Sequence, residues 1–191
     1  LLLSFALLGL LPMLSGRLLD IYKSFLAFRK FKKPHSFDYN IIAIGAGSAG
    51  LVSAYIGSAV KAKVALIEKN KMGGDCLYTG CIPSKALLRS AAIVAQSNRA
   101  AAFGLKKIES SFDFGEIMAR VHRTIAKIAP HDSIERYSNL GVDCITGKAE
   151  IVDPWTVSVN GKNLTTKNII IATGASPFVP PLAGLETVHY Y

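Results

Sequence analysis

The chain has 191 residues, of which 50% are hydrophobic, and it carries a formal net charge of +9. This length and composition are enough for one domain with a sizeable core. The uneven distribution of the charge argues against a nucleic-acid partner, because the positive excess lies in one short segment. That segment sets six basic residues against one acidic residue: Arg17, Lys23, Arg29, Lys30, Lys32 and Lys33 against Asp20.

The first 33 residues have the composition of a membrane-flanking segment. Leu1 to Leu14 is almost entirely apolar, although it is too short to span a bilayer by itself. The basic residues follow this run, so we expect the end of a transmembrane segment whose following side is cytoplasmic. Residues 17–33 mix apolar and basic side chains as an interfacial helix does, and an ordinary buried helix is the alternative. Residues 34–37 are predicted to be a linker.

A strand, a glycine-rich turn, a helix and a second strand come next. Residues 38–44 form a short apolar strand that ends on Gly45-Ala46-Gly47-Ser48-Ala49-Gly50, and residues 51–59 are typical of a helix. The second strand, residues 63–67, is closed by Glu68. Glycines at this spacing permit a tight turn, close approach of a pyrophosphate and close helix packing, and an acid at this distance accepts hydrogen bonds from ribose. The pattern predicts a dinucleotide-binding unit without choosing between FAD and NAD.

Cys76 and Cys81 are five positions apart, at the start of a predicted helix that carries Pro83 and Lys85. On one regular helix their Cα atoms would be about 8.6 Å apart, beyond the roughly 7 Å limit for a disulfide. We therefore expect a bend before Cys81 and interpret the two residues as a redox-active pair, with Cys81 as the thiolate because it begins a helix near Lys85. Packing cysteines or half of a zinc site are the alternatives. A redox dithiol needs a redox ring, which favours FAD.

The remaining elements continue an α/β pattern. Helices are predicted over about 84–99 and 112–129, and short strands over 142–146, 148–152, 156–159 and 164–166, with Cys144 as a buried, inert thiol. Residues 168–172 are a continuous apolar run that ends on Thr173-Gly174, as expected for a strand covered on both faces. Residues 177–191 are proline-rich and are predicted to connect to a further domain. The chain begins with leucine, and we expect it to be a fragment.

With these motifs in place, the chain resembles the class I pyridine nucleotide-disulfide oxidoreductases, the flavoprotein family of dihydrolipoyl dehydrogenase and mercuric reductase. The resemblance implies a Rossmann-like FAD-binding domain over residues 38–176, with a parallel sheet, helices and a small antiparallel β-meander, behind an apolar helical segment. It implies that FAD is held by Gly45, Gly47, Ser48, Ala49, Gly50, Glu68, Gly74, Asp75, Lys85, Ala149, Thr173 and Gly174. Asp75 departs from the threonine that is usual in the family.

The resemblance also implies a function. NAD(P)H, FAD and a Cys76–Cys81 disulfide would pass two electrons to or from a thiol/disulfide or metal-ion substrate, with Lys85 near the flavin. NAD(P)H would bind to a further domain, and the full protein would be a homodimer without a nucleic-acid partner. We expect the flavin domain to be cytoplasmic and membrane-associated, and the 191 residues alone to be inactive. A flavin-binding or redox-sensing module without turnover is the alternative.

Overall fold

A computed structural model describes residues 16–106, 108–176 and 178–188. The apolar run that was expected to end a transmembrane segment, residues 1–14, lies outside these ranges. Within them, no helix is long and apolar enough to cross a membrane. The first described element is helix α1, residues 16–28, whose apolar side chains are exposed, and residues 31–38 contain neither helix nor strand.

Six strands form one mixed sheet with the order β3-β2-β1-β6-β5-β4. Strands β1, β2, β3 and β6 are parallel, whereas β4, β5 and the first part of β6 are antiparallel. The strands are β1 Tyr39–Ile44, β2 Val64–Glu68, β3 Val142–Thr146, β4 Ala149–Asp153, β5 Thr156–Val159 and β6 Lys162–Ile171. The predicted combination of a parallel sheet and an antiparallel meander is confirmed.

Helices follow β1 and β2 and return the chain to the sheet. After α1, they are α2 Ser48–Ala59, α3 Gly74–Tyr78, α4 Cys81–Asn98, α5 Phe114–Ile128 and α6 Ile134–Asn139. Asp113 caps α5 by accepting hydrogen bonds from the backbone N–H of Gly115 and Glu116, at 2.6 and 3.2 Å. Ser133 caps α6, where its hydroxyl accepts a hydrogen bond from the backbone N–H of Arg136. The sequence did not predict α3 and α6, which have only five and six residues.

The core lies on both faces of the parallel strands. Ala43, Val64 and Leu66 pack with α2 on one face, while Ile42, Ile44 and Ile67 pack with the meander strands on the other. This two-sided burial explains why β1 and β2 are continuous apolar runs rather than alternating ones.

Strand β6 joins the parallel and antiparallel parts of the sheet. The sequence had predicted two separate strands in its place. Its first residues pair with β5, and from Thr166 onward it pairs with β1. Thr166 is fully buried and exchanges hydrogen bonds with the backbone of Asn168. At this change of partner, the Asp38 carboxylate accepts hydrogen bonds from the N–H and hydroxyl of Thr165, both at 2.8 Å. These bonds lower the pKa of Asp38.

Candidate active site

The candidate site lies at the carboxyl ends of the parallel strands. There the backbone N–H of Gly45 donates to the carbonyl of Ile67 at 2.7 Å, and that of Ala172 donates to Ile44 at 2.8 Å. These bonds bring the glycine-rich turn after β1 beside the end of β6. Ligands of open α/β sheets bind in the crevice at this edge.

The glycine-rich turn packs too closely for side chains at two positions. Gly45 has a φ of +102°, and a Cβ atom there would lie 2.2 Å from the carbonyl oxygen of Ala172. A Cβ atom at Gly50 would lie 1.7 Å from the carbonyl oxygen of Gly45. Gly50 is buried under the turn, and this close contact sets the position of α2.

A cleft of about 1200 Å³ opens beside this turn. Most of the predicted site residues line it: Gly45, Gly47, Ser48, Ala49, Glu68, Gly74, Asp75, Cys76, Thr173 and Gly174. Gly50, Cys81, Lys85 and Ala149 are predicted site residues that do not line it. Ala149 begins β4, pairs with Val159 and packs against the second core cluster.

The N-terminus of α2 faces the cleft without a side-chain cap or an acidic residue in its first turn. Gly47, the N-cap residue, lies against Gly74, where a Cβ atom would be 2.7 Å from the Gly47 Cα atom. The free N–H groups of an uncapped helix start and the positive end of its dipole favour an anion. This part of the cleft can therefore bind a phosphate group.

Glu68 fixes the glycine-rich turn through its carboxylate. One oxygen accepts a hydrogen bond from the N–H of Ala46 at 2.6 Å, and the other accepts from the N–H of Asn70 at 2.8 Å. A carboxylate offers about four acceptor positions, so both oxygens can still accept a bond from a ligand hydroxyl.

Cys76 and Cys81 lie on two different helices. Cys76 is in α3, and Cys81 is the first residue of α4. The break falls at Gly80, the α4 N-cap, with φ −115° and ψ −103°, and the N–H groups of Thr79 and Gly80 both donate to the carbonyl of Asp75. The predicted bend before Cys81 is confirmed, and it places the two free thiols close enough for each to shift the pKa of the other.

The acidities of the two thiols are opposite to those the sequence predicted. Hydrogen bonds from the Cys81 thiol and then from Ser48 lower the pKa of Cys76, and Lys85 lowers it further. The same bond to Cys76 raises the pKa of Cys81, because Cys81 supplies the proton. Lys85 favours the thiolate form of both cysteines, an effect that its spacing predicted for Cys81.

Replacement of Ser48 by alanine is expected to raise the pKa of Cys76, because the thiolate loses a hydrogen-bond donor. One such bond is worth about 1 kcal/mol, so the thiolate fraction of Cys76 in the reduced chain should fall about fivefold at pH 7. Alkylation should slow about two- to threefold, because the less acidic thiolate is more nucleophilic. Peptide-resolved mass spectrometry across a pH series would measure this rate. Ser48→Thr, which keeps the hydroxyl, should retain the wild-type profile. A slowing that is equal at every pH would contradict the hydrogen-bond explanation.

Residues 39–191 match the family described as Pyridine nucleotide-disulphide oxidoreductase. The chain belongs to this family. Over 153 residues it is 34% identical to the mercuric reductase of Staphylococcus aureus, and over 155 residues it is 38% identical to the dihydrolipoyl dehydrogenase of Acholeplasma laidlawii. These matches cover 80% and 81% of the chain, but only 28% and 46% of the two relatives. The chain thus spans less than half of each.

A solved structure supports the same family assignment. The Cu(II) complex of the HOCl-induced flavoprotein disulfide reductase RclA from Escherichia coli superimposes with a TM-score of 0.59 at 26% identity. The match covers 78% of this chain and 31% of that one. The predicted Rossmann-like flavoprotein fold is therefore confirmed for this part of the oxidoreductase family.

Seven residues that line the cleft were not among the predicted site residues, and three of them, Ala172, Ala175 and Ser176, adjoin the predicted Thr173-Gly174. The other four lie after β2 and in α3. Lys69, Asn70 and Lys71 follow Glu68, and Tyr78 lies in α3 with the Lys71 ammonium 5.9 Å from the centre of its ring. The two lysines offset the negative charge that Asp75 brings to the cleft. The position of Lys69, Asn70 and Lys71 directly after Glu68 was a sequence signal for this site, since the loop after β2 continues along the ligand edge of the sheet.

Two other features of this family member lie away from the redox pair. Cys144 is partly buried in β3, and burial raises the pKa of its thiol, as expected for an inert cysteine. It lines a second cavity of about 660 Å³, which shares Glu68, Asn70, Lys71 and Tyr78 with the main cleft. Among the described residues, no three histidine, cysteine or acidic side chains form a group that could hold a metal ion.

Proposed function

We propose that the chain is the FAD-binding part of a disulfide oxidoreductase whose redox centre is the Cys76–Cys81 pair. The observation that carries this proposal is the contact between the two thiols at a helix break, with Cys76 lining the same cleft as the glycine-rich turn. The relatives and the flavoprotein structure reported above support it.

The residues present fit FAD. The cleft exceeds the roughly 300–1,000 Å³ of common small-molecule pockets, which suits an extended dinucleotide. Backbone at Gly47, Ser48 and Ala49 would hold the diphosphate at the start of α2, and Glu68 would accept from the adenosine ribose. Thr173 and Gly174, after β6, would approach the flavin side. The second cavity beyond Glu68 offers room for the adenine end.

FAD, when bound, would supply a ring that exchanges two electrons with the dithiol and with NAD(P)H. Cys76 and Cys81 lose two protons and two electrons when their sulfur atoms bond, and they regain both on reduction. Cys76 is the better attacking group because its pKa is lowered. We therefore assign it the attack on substrate, with Lys85 stabilising the thiolate.

The proposed substrate is a small thiol/disulfide pair or a metal ion. Relatives are named mercuric reductase, dihydrolipoyl dehydrogenase and glutathione reductase, so both classes occur among them. Their names do not select one class for this chain. NAD(P)H as electron donor and a homodimer as the working assembly are part of the same proposal for the full-length protein.

FAD binding is tested most sharply at Gly47. Its backbone conformation, φ −81° and ψ −169°, suits aspartate and asparagine, which are both good helix N-cap residues. Gly47→Asp would place a negative charge against the diphosphate, whereas Gly47→Asn has the same size without the charge. We expect Gly47→Asp to weaken FAD binding at least tenfold relative to Gly47→Asn, since charge repulsion of about 1.4 kcal/mol is enough.

Titration of the full chain with FAD, followed by quenching of flavin fluorescence, would measure this difference. Thermal melting of both variants provides the control, because both should be at least as stable as the wild type. Equal FAD affinities for the two variants would contradict the assigned diphosphate position. Failure of the folded wild-type chain to bind FAD at any concentration would contradict the cofactor assignment.

A further inference from the structure

Helix α1 presents a broad apolar surface that no other described part of the chain covers. Seven large apolar side chains of this helix are exposed to solvent: Leu18, Leu19, Ile21, Tyr22, Phe25, Leu26 and Phe28. The most exposed of them, Ile21 and Phe25, have 66% and 65% of their surface accessible. An exposed apolar surface of this extent marks an interaction site.

The apolar and polar side chains of α1 lie on separate halves of the helix. At 3.6 residues per turn, the seven apolar residues cover about 180° of the circumference. Arg17, Asp20, Lys23 and Ser24 lie on the opposite side. The sequence pattern therefore makes α1 strongly amphipathic, and its apolar half lies on the exposed surface.

The charge of this region selects the partner. Residues 17–33 contain six basic side chains and one acidic side chain, a net charge of +5 out of +9 for the whole chain. A second copy of α1 would bring the same positive charge to the interface, so like charges would oppose pairing of two such helices. An anionic lipid surface attracts the basic residues and accepts the apolar half in its acyl region.

A ring contact connects the end of α1 to the domain. The rings of Phe28 and Trp155 have centroids 5.6 Å apart at an interplanar angle of 39°. Trp155 lies between β4 and β5, where its carbonyl accepts a hydrogen bond from Thr166 and its N–H donates to Asp153. The C-terminal end of α1 is thus held against the sheet, while Phe25, one turn earlier, is exposed.

We propose that α1 lies in the plane of an anionic membrane surface and docks the flavoprotein domain onto it. The apolar half, centred near Phe25, enters the boundary between headgroups and acyl chains. Lys23 and the basic residues 29–33 contact anionic headgroups. This is peripheral binding of a described helix, and it is independent of the redox chemistry proposed for Cys76 and Cys81.

Vesicle flotation of the full chain tests the proposal. The wild type should float with phosphatidylcholine vesicles that contain about 30 mol% of the anionic lipid phosphatidylglycerol. It should bind far less to vesicles of phosphatidylcholine alone, which lack anionic headgroups. High salt should also weaken binding, because it screens the attraction between basic side chains and headgroups. Phe25→Glu should lower the bound fraction about tenfold, since it places a charge at the centre of the apolar half.

Phe103→Glu is the matched control, because Phe103 is also an exposed phenylalanine, with 70% of its surface accessible, outside α1. It should bind vesicles as the wild type does. Equal binding by Phe25→Glu and the wild type would overturn the proposal and assign lipid binding to another segment. Equal binding to neutral and anionic vesicles would contradict the assignment of an anionic lipid surface as the partner. Absence of lipid binding, with an oligomer that Phe25→Glu dissociates, would show instead that a second copy covers α1.

Discussion

Replacement of either Cys76 or Cys81 by serine is expected to abolish the reversible oxidation of the chain. The two thiols are already in contact across the break between α3 and α4. Closing this short loop requires little further loss of chain entropy, so the wild-type pair should oxidise readily. A serine at either position leaves no partner sulfur, and the intramolecular reaction is lost completely rather than slowed.

Counting alkylated thiols by mass spectrometry would measure this effect. The reduced wild-type chain has three thiols to alkylate, and the oxidised chain should have one. Each single variant should have two thiols under both conditions. Cys144→Ser is the control, because the partly buried Cys144 takes no part in the pair and this variant should still lose two thiols on oxidation. If Cys144→Ser abolished the oxidation, the assignment of the redox pair would be wrong.

Gly50→Ala is expected to destabilise the fold by about 3 kcal/mol. The added methyl group would lie 1.7 Å from the carbonyl oxygen of Gly45, which is backbone held by the turn and cannot rotate away. The helix must therefore shift from the sheet. This cost exceeds the gain of about 1 kcal/mol that alanine brings to a helix interior.

Gly57→Ala is the matched control on the same helix. Its methyl group would meet side-chain atoms rather than backbone, at 2.9 Å from Val64 and 3.2 Å from Ile41. We expect a smaller loss of stability than for Gly50→Ala, because the contact is longer and the helix-propensity gain offsets part of the crowding. Urea denaturation with linear extrapolation measures both variants. Equal losses for the two would contradict the backbone clash.

Much of the site was predictable because its signals are local. The glycine-rich turn follows β1 directly, Glu68 ends β2, and both positions follow from the parallel βαβ unit. The bend between the cysteines follows from helix geometry alone, since residues five apart on one regular helix cannot form a disulfide. The structure places ten of the fourteen predicted residues around one cleft, and Cys81 and Lys85 lie on α4.

Features that depend on distant parts of the chain were not predictable. Strand β3 was predicted as the first of four short strands that follow one another in the chain, yet it pairs in parallel with β2. Strand β6 was divided at Lys167, although it continues through this residue while its pairing changes from β5 to β1. The sequence of a strand of four to ten residues indicates that it is a strand more clearly than it indicates which strand it pairs with. Pairing depends on the whole topology.

The sequence alone determined that a dinucleotide turn and a cysteine pair exist, because each is encoded by residues within about one turn or loop of each other. The tertiary structure alone showed which groups surround each thiol. The sequence favoured Cys81 through its position at the start of α4. The fold instead directs hydrogen bonds from Ser48, in the turn after β1, and from Cys81 itself onto Cys76. These hydrogen bonds favour the thiolate form of Cys76, an effect that the spacing of the two cysteines does not reveal.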